Sequence, residues 1–355
     1  LRLDLFCRVI DNYGDIGVCW RLARQLNVEH GLSVRLIVDD LTSFKVIEPL
    51  VAIGRPIQRV AGITVCSWEQ ADTLVPADVV IEAFACELPA SYVDAMARAG
   101  HGCIWINLEY LSAESWTTSH HLLPSPHPRL PLVKYFFFPG FTAGSGGLLR
   151  ERDIPRVSPG APANDNWLRI YVFAYRNAPI AALLNAWDND EAHITCGVAG
   201  DTFAEQVRGR GGASEPAHVH LQIEPFVPQP DFDRVLERYD VCFVRGEDSF
   251  LRAQWVAKPF VWQIYPQEGA AHWVKLDAFL ALYTEGMVDE AARALRIMWH
   301  AWNGDPSASI EEAWFAYRQQ LPVLRAHALE WRTKLMAMPD LATNLVTFCG
   351  KIAKI

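Results

Sequence analysis

Short apolar runs of strand type recur along the chain with helical stretches between them, and they do so in two series. In the first, Leu3–Ile10, Ser33–Val38, Ile63–Cys66, Val79–Phe84 and Cys103–Ile106 read as strands. Val18, Leu22 and Leu26 follow helical spacing up to a stop at Gly31, and Pro89–Ala99 reads as a further helix. In the second, the strand runs are Leu168–Phe173, Ala192–Cys196, Val219–Ile223, Val241–Val244 and Phe260–Ile264. Neighbouring parallel strands need a crossover connection, usually a helix, so this alternation predicts an α/β chain with two doubly wound domains. The length of 355 residues suits two such cores. The expected boundaries are 1–156 for the N-terminal domain, 157–166 (VSPGAPANDN) for a linker, and 167–335 for the second domain. Residues 336–355 would form a C-terminal helix, centred on Leu341–Ile352, that packs back on the first domain. Pro124–Gly147 reads as Pro- and Gly-rich loop, and Ile310–Met338 as one long helix.

Charge and cysteine usage remove several function classes. The net charge is −9 with no basic tract, which argues against a nonspecific nucleic-acid binder and a polybasic membrane anchor. The eight cysteines are scattered, without a CxxC pair, so a zinc ribbon or a thioredoxin-type site is not expected. Most lie in apolar runs, as buried free thiols do, and a reducing cytoplasm fits them. No apolar run reaches the roughly 18–20 residues of a membrane span. No signal-peptide pattern follows Leu1, and the missing initiator Met points to a trimmed N-terminus.

Two loops carry the chemistry. Arg245-Gly246-Glu247-Asp248-Ser249 follows a strand and opens a helix. Backbone N–H groups at a helix start, with an Arg and a Ser beside them, suit a phosphate, although Asp248 or Ser249 acting only as a helix cap would explain part of the pattern. Asp11 and Asp15, in a turn with Gly14 and Gly17, follow the first strand. One Asp could cap the next helix, but two carboxylates in one strand-to-helix loop point to a general base. Phe173, Tyr175, Phe226 and Phe232, with Gln229 in a Pro-rich loop, could hold a pyrimidine by stacking and amide hydrogen bonds. Asn107-Leu108-Glu109-Tyr110-Leu111-Ser112-Ala113-Glu114 follows another strand, with Ser112 as a candidate cap. Ala143-Gly144-Ser145-Gly146-Gly147 reads as a Gly turn rather than a nucleophile elbow, because no clear strand precedes it. Walker and complete GxGxxG fingerprints are absent. Asp188-Asn189-Asp190 and Asp231-Phe232-Asp233 could hold a divalent ion but read better as surface or capping carboxylates.

Taken together, Phe6 to Gly17, Asn107 to Glu114, Pro139-Gly140-Phe141 with Ser145 to Leu148, and Arg245 to Gln254 resemble the bacterial protein-arginine rhamnosyltransferases that modify translation elongation factor P. The resemblance spans nearly the whole chain. It implies a GT-B architecture, two Rossmann-like domains facing across a cleft. It implies transfer of L-rhamnose from dTDP-β-L-rhamnose to one Arg of the elongation factor, with inversion and without a metal or other cofactor. By motif, Asp15 matches the proposed general base and Asp11 a second acidic position, with Glu247 also catalytic. Phe173, Tyr175, Phe226, Gln229 and Phe232 match the nucleotide pocket. Arg245, Glu247, Asp248 and Ser249 match the diphosphate and sugar end, and Gly14 and Gly17 count with the donor-binding set. A GT-B enzyme with a small-molecule or glycan acceptor is the alternative.

Overall fold

The computed structural model describes residues 1–11, 13–99, 102–155, 167–199 and 218–353. The expected linker at 157–166, and Asn12 of the first motif, lie outside the described residues. The chain divides into two compact units. One comprises Leu1–Asp153 and Met336–Ile355, the other Ile154–Leu335.

The first unit is built on an eight-stranded sheet. Its strands are β1 (Arg2–Cys7), β2 (Ser33–Val38), β3 (Ile57–Val60), β4 (Ile63–Ser67), β5 (Val79–Ala83), β6 (Ile104–Leu108), β7 (Pro124–Pro126) and β8 (Val133–Phe137). Their spatial order is β3-β4-β2-β1-β5-β6-β8-β7. The six inner strands are parallel, and only the edge strands β3 and β7 run antiparallel to their neighbours. Helices α1 (Gly14–His30), α2 (Leu41–Ile47), α3 (Ala90–Arg98) and α4 (Trp116–His120) occupy the connections. Helix α1 stops at Gly31, which adopts the left-handed conformation (φ 66°) and donates to Asn27 O and Leu26 O, as a C-terminal glycine should.

The central strands β1, β5 and β6 are buried on both faces, which is why they read as largely apolar runs. Phe6, Ile37, Val80, Tyr92, Met96 and Trp105 form one core cluster. Buried charges adjoin it, Asp4 among them. Asp4 is fully buried and faces Arg35 across the β1–β2 ladder. It accepts from Arg35 Nε and Nη2 at 2.6 Å each, from Ala77 N at 3.0 Å, and from the Tyr92 hydroxyl. Four donors on one carboxylate offset its desolvation.

The second unit is a five-stranded, all-parallel sheet of β9 (Trp167–Val172), β10 (His193–Ala199), β11 (Val219–Glu224), β12 (Val241–Arg245) and β13 (Phe260–Gln263). The order is β11-β10-β9-β12-β13. Helices α5 (Ile180–Asp188), α6 (Phe232–Glu237) and α7 (Asp248–Trp255) lie along it. Four more follow: α8 (Ala271–Tyr283), α9 (Asp289–Trp302), α10 (Ile310–Gln319) and α11 (Leu321–Met336). Stacked and edge-on contacts among Phe260, Phe279, Tyr283 and Trp299 fill the space between β13, α8 and α9. Within the first unit, the final helix α12 (Leu341–Ile352) packs on α1, and Gln25 Nε2 of α1 donates to Asp340 Oδ1 at 3.1 Å.

Two sequence expectations fail here. Pro124–Gly147 contains β7 and β8, so the run Tyr135-Phe136-Phe137 is strand rather than loop. Within the sheet, Pro124 and Pro126 fall on the edge strand, where a missing N–H is tolerated. Ile310–Met338 is two helices, because the chain turns out of helix at Gln320 and Pro322 starts the next. Among the described residues no helix is long and apolar enough to cross a membrane. All eight cysteines are free.

Asp4→Ala is expected to destabilise the first unit by about 3 kcal/mol, because it leaves the Arg35 guanidinium without its partner. Urea denaturation read by a tryptophan signal of that unit checks this; a loss under about 1 kcal/mol would show the pair to be dispensable.

Candidate active site

Each sheet reverses its winding at one place. In the first unit the chain goes from β1 to β2 on one side and to β5 on the other, so a crevice opens beyond the ends of β1 and β5. In the second, β9 stands between β10 and β12, and the corresponding crevice lies beyond β9 and β12. Ligands of open α/β sheets bind at such points. The loops that the sequence singles out are the ones that leave these strands.

At the first crevice, β1 ends at Cys7 and α1 begins at Gly14. Tyr13 holds the N-cap position without a side-chain cap bond, so neither Asp11 nor Asp15 occupies it. Asp15 instead reaches backwards: its Oδ2 accepts from Ile10 N at 2.7 Å and Asp11 N at 2.9 Å. Its Oδ1 accepts from the Tyr110 hydroxyl at 3.1 Å. Asp15 is only 2% exposed, and burial raises its pKa. The two backbone bonds and the Tyr110 bond oppose that shift, while the nearby Asp39 carboxylate adds to it. Asp11 is more open. A Cβ at Gly14 would lie 2.6 Å from Asp11 Oδ2, so only glycine lets that carboxylate settle over the start of α1. Gly17 sits inside the helix and donates to Tyr13 O at 2.9 Å.

Ser112, the other candidate cap, bridges to Gly140 and accepts from Glu114 N at 3.0 Å, two residues short of α4. The Gly turn at 143–147 lines a cavity of about 430 Å³ with His121, Asn344, Phe348 and Lys351, and none of the predicted site residues borders it. His121 Nδ1 accepts from Phe138 N at 3.1 Å, and burial pulls its pKa down to about 4.

At the second crevice, Gly246 (φ 60°) turns the chain out of β12, and Trp262 Nε1 donates to Gly246 O at 2.6 Å. Glu247 is the N-cap of α7 and makes no capping side-chain bond, so Asp248 and Ser249 belong to the first turn rather than capping it. Ser249 Oγ accepts from Arg245 N at 3.0 Å and donates to Arg245 O at 2.6 Å, closing the loop on itself. The Arg245 guanidinium lies 4.3 Å from the Phe173 ring centre and 4.7 Å from that of Tyr175. These two rings therefore hold the arginine by cation–π contact, in addition to any stacking role. Phe232 sets its edge against Phe173 and Tyr171, and Phe226 is 41% exposed. Gln229 is buried, and its Nε2 donates to Asp248 Oδ2 at 2.8 Å.

The residue that sequence reasoning missed is Arg252. It is 4% exposed and pairs with Asp233 at 2.8 Å and with Asp248 at 3.3 Å. Through Asp248 it ties the start of α7 to Gln229, and through Asp233 to α6. The spacing of four between Asp248 and Arg252 was a legible signal; the third partner was not. Three carboxylates of the Asp-x-Asp triplets have basic partners. Asp233 faces Arg252, Asp231 faces Arg234 at 3.3 Å, and Asp190 accepts from Arg318 at 2.9 Å and from Trp314 Nε1 at 2.9 Å.

Comparison with known proteins decides what these two loops belong to. The family described as Elongation-Factor P (EF-P) rhamnosyltransferase EarP matches residues 3–350. The chain belongs to the EF-P rhamnosyltransferase family. It is 45% identical over 376 residues to a protein-arginine rhamnosyltransferase of Pseudomonas putida, covering 97% of each chain. To that of Pseudomonas aeruginosa it is 41% identical, covering 97% of this chain and 98% of the relative. A solved structure describing the basis of EarP-mediated arginine glycosylation of translation elongation factor EF-P matches with a TM-score of 0.65 and 33% identity, over 99% of both chains. Acinetobacter baumannii MurG matches with a TM-score of 0.54 at 12% identity over 99% of both chains, a likeness of fold alone. The fold of this EF-P rhamnosyltransferase family member is thus GT-B.

Arg252→Met is expected to destabilise the second unit by about 2 kcal/mol, since it removes the cation that Asp233 and Asp248 share. Chemical denaturation checks this; a variant as stable as the parent would mean the two carboxylates are held by other contacts.

Proposed function

We propose that this chain transfers L-rhamnose from dTDP-β-L-rhamnose to a side-chain nitrogen of one arginine on translation elongation factor P, with inversion at the anomeric carbon and without a metal. The observation that carries this reading is Asp15. In a chain 45% identical to a protein-arginine rhamnosyltransferase, a carboxylate is buried at the winding reversal of the first sheet, with one oxygen fully engaged by backbone. Modification of the factor would serve its action on ribosomes stalled at polyproline.

The reaction is a single displacement. An arginine nitrogen attacks C1 of the sugar, the C1–O bond to the diphosphate breaks, and dTDP leaves with the electron pair. A guanidinium has a pKa above about 12 and delocalised lone pairs, so it cannot be deprotonated beforehand. Asp15 holds it through charge-assisted hydrogen bonds and takes its proton as the C–N bond forms. Because Oδ2 already accepts two backbone N–H groups, Oδ1 is the oxygen for this exchange. Asp11, more open and held over the start of α1, orients the same guanidinium. On the donor side Arg245, in cation–π contact with Phe173 and Tyr175, and the first turn of α7 neutralise the charge that grows on the leaving diphosphate. Gln229 and Phe226 serve the nucleotide base, Phe232 backs the pocket, and Glu247 positions donor hydroxyls. Asp248 acts through its bonds to Gln229 and Arg252.

The signs follow from Asp15. Its folded pKa is raised, so the folded state binds that proton more tightly than the unfolded chain. The stability this supplies is present below the unfolded value of about 3.9 and lost as pH rises through the folded one. At neutral pH the ionised Asp15 is therefore a burden on the fold. Asp15→Asn is expected to keep or raise the melting temperature while lowering transfer by about 10²–10⁴-fold. The assay is mass analysis of the elongation factor after incubation with dTDP-β-L-rhamnose, with a gain of one deoxyhexose on Arg expected for the parent chain. No added mass would remove the protein acceptor, and undiminished transfer by a folded Asp15→Asn would remove the base. Transfer by the parent should also fall as pH falls through the raised Asp15 pKa.

A further inference from the structure

The turn that leaves β5 is built from residues that ordinarily avoid its conformation. Phe84, Ala85 and Glu87 have φ of 56°, 52° and 53°. None is glycine, and Cβ sterics disfavour this left-handed region for every other L-residue. The turn persists because its amides are pinned on three sides. Phe84 N donates to Leu108 O at 2.7 Å, Ala85 N to Asn107 Oδ1 at 3.2 Å, and Glu87 N to Glu82 Oε1 at 3.1 Å. Asn107 is 1% exposed and in turn donates to Glu109 Oε1. Glu82 is held by Lys134 Nζ at 3.2 Å and Trp105 Nε1 at 3.1 Å. Several non-glycine residues in such conformations, locked from outside, mark functional sites more often than idle loops.

What the turn presents is the Phe84 ring. It stacks on Tyr110 with ring centres 4.2 Å apart and planes 11° from parallel. The sheet order explains why. β1, β5 and β6 are consecutive, Asp15 follows β1, Phe84 follows β5, and Tyr110 follows β6. β1 and β6 are two strand spacings apart, roughly 9–10 Å. Tyr110 crosses that gap over the middle strand to bring its hydroxyl to Asp15 Oδ1, and Phe84 lies beneath it along the way.

We propose that the Phe84–Glu87 turn is a positioning device for the transfer: Phe84 sets the Tyr110 ring, and Tyr110 fixes the orientation and proton affinity of the Asp15 oxygen that meets the acceptor. Both are positioning residues for Asp15. The inference rests on the reading of Asp15 as the base. Asp15 is surrounded by Asp11 on its own loop, Cys7 on β1, Asp39 after β2 and Tyr110 after β6. Of these the Tyr110 hydroxyl is the side chain that donates a hydrogen bond to it, so loss of that bond leaves burial and Asp39 less opposed.

The test is the pH dependence of kcat/KM for transfer to the elongation factor in Tyr110→Phe, Phe84→Leu and Phe84→Tyr. Tyr110→Phe is expected to move the acidic limb up by about one pH unit. Phe84→Leu, which keeps apolar volume without a flat face, is expected to move it in the same direction by less. It should also lower kcat about tenfold at unchanged donor KM. Phe84→Tyr keeps a ring to stack on and is expected to restore both. A Phe84→Leu profile that superimposes on the parent's overturns the inference, and so does an unmoved limb in Tyr110→Phe. Asp15→Asn separates the failures. If it abolishes transfer while the Phe84→Leu profile stays put, only the positioning role is lost; if it leaves transfer intact, the underlying assignment of the base is lost.

Discussion

Reversal of winding in a parallel sheet leaves two neighbouring loops with no crossover helix between them. The proposed chemistry of this protein depends on that constraint. In the first unit the reversal falls between β1 and β5, and it exposes the turns that carry Asp15 and Phe84. In the second it falls between β9 and β12, beside the segments that carry Phe173, Tyr175 and the Arg245–Ser249 loop. The strands are otherwise mostly apolar and buried, and their few buried charges, such as Asp4 and Glu82, are paired with Arg35 and Lys134. A doubly wound fold thus concentrates its few reactive groups without further design.

The two crevices hold opposite signs, by different means. Asp15 is a buried carboxylate kept available by two backbone amides and a phenol, in surroundings that otherwise favour its neutral form. Arg245 is a cation in contact with two aromatic rings, those of Phe173 and Tyr175, and it donates to Ala174 O at 3.3 Å. Carboxylates near the second loop are tied elsewhere, Asp248 and Asp233 to Arg252. Under the proposed function, the guanidinium of an acceptor arginine and the diphosphate of a sugar nucleotide are the ligands assigned to these two charges.

Much of this was legible in the residues. Ser33–Val38 and Leu341–Ile352 appear with the bounds their patterns predict, because strand and helix periods there are uninterrupted. β8 was hidden among prolines and glycines, and the break at Gln320 lay inside an apolar pattern that runs on across Pro322. The N-cap positions are held by Tyr13 and Glu247 rather than by Asp11, Asp15, Asp248 or Ser249. The left-handed turn at Phe84 left no trace, since Phe-Ala-Cys-Glu contains neither glycine nor asparagine to announce it. Long-range partners such as Asp233 of Arg252 are set by the packing of α6 on α7, which no local spacing encodes.

Hydrogen–deuterium exchange with and without dTDP tests the central claim most directly, namely that the winding reversal of the second sheet is where the nucleotide binds. Slowed exchange is predicted at residues 173–177 and 245–251, with none at the 143–147 turn and its cavity. Protection confined to the first unit, or to the cavity beside Lys351, would contradict the account.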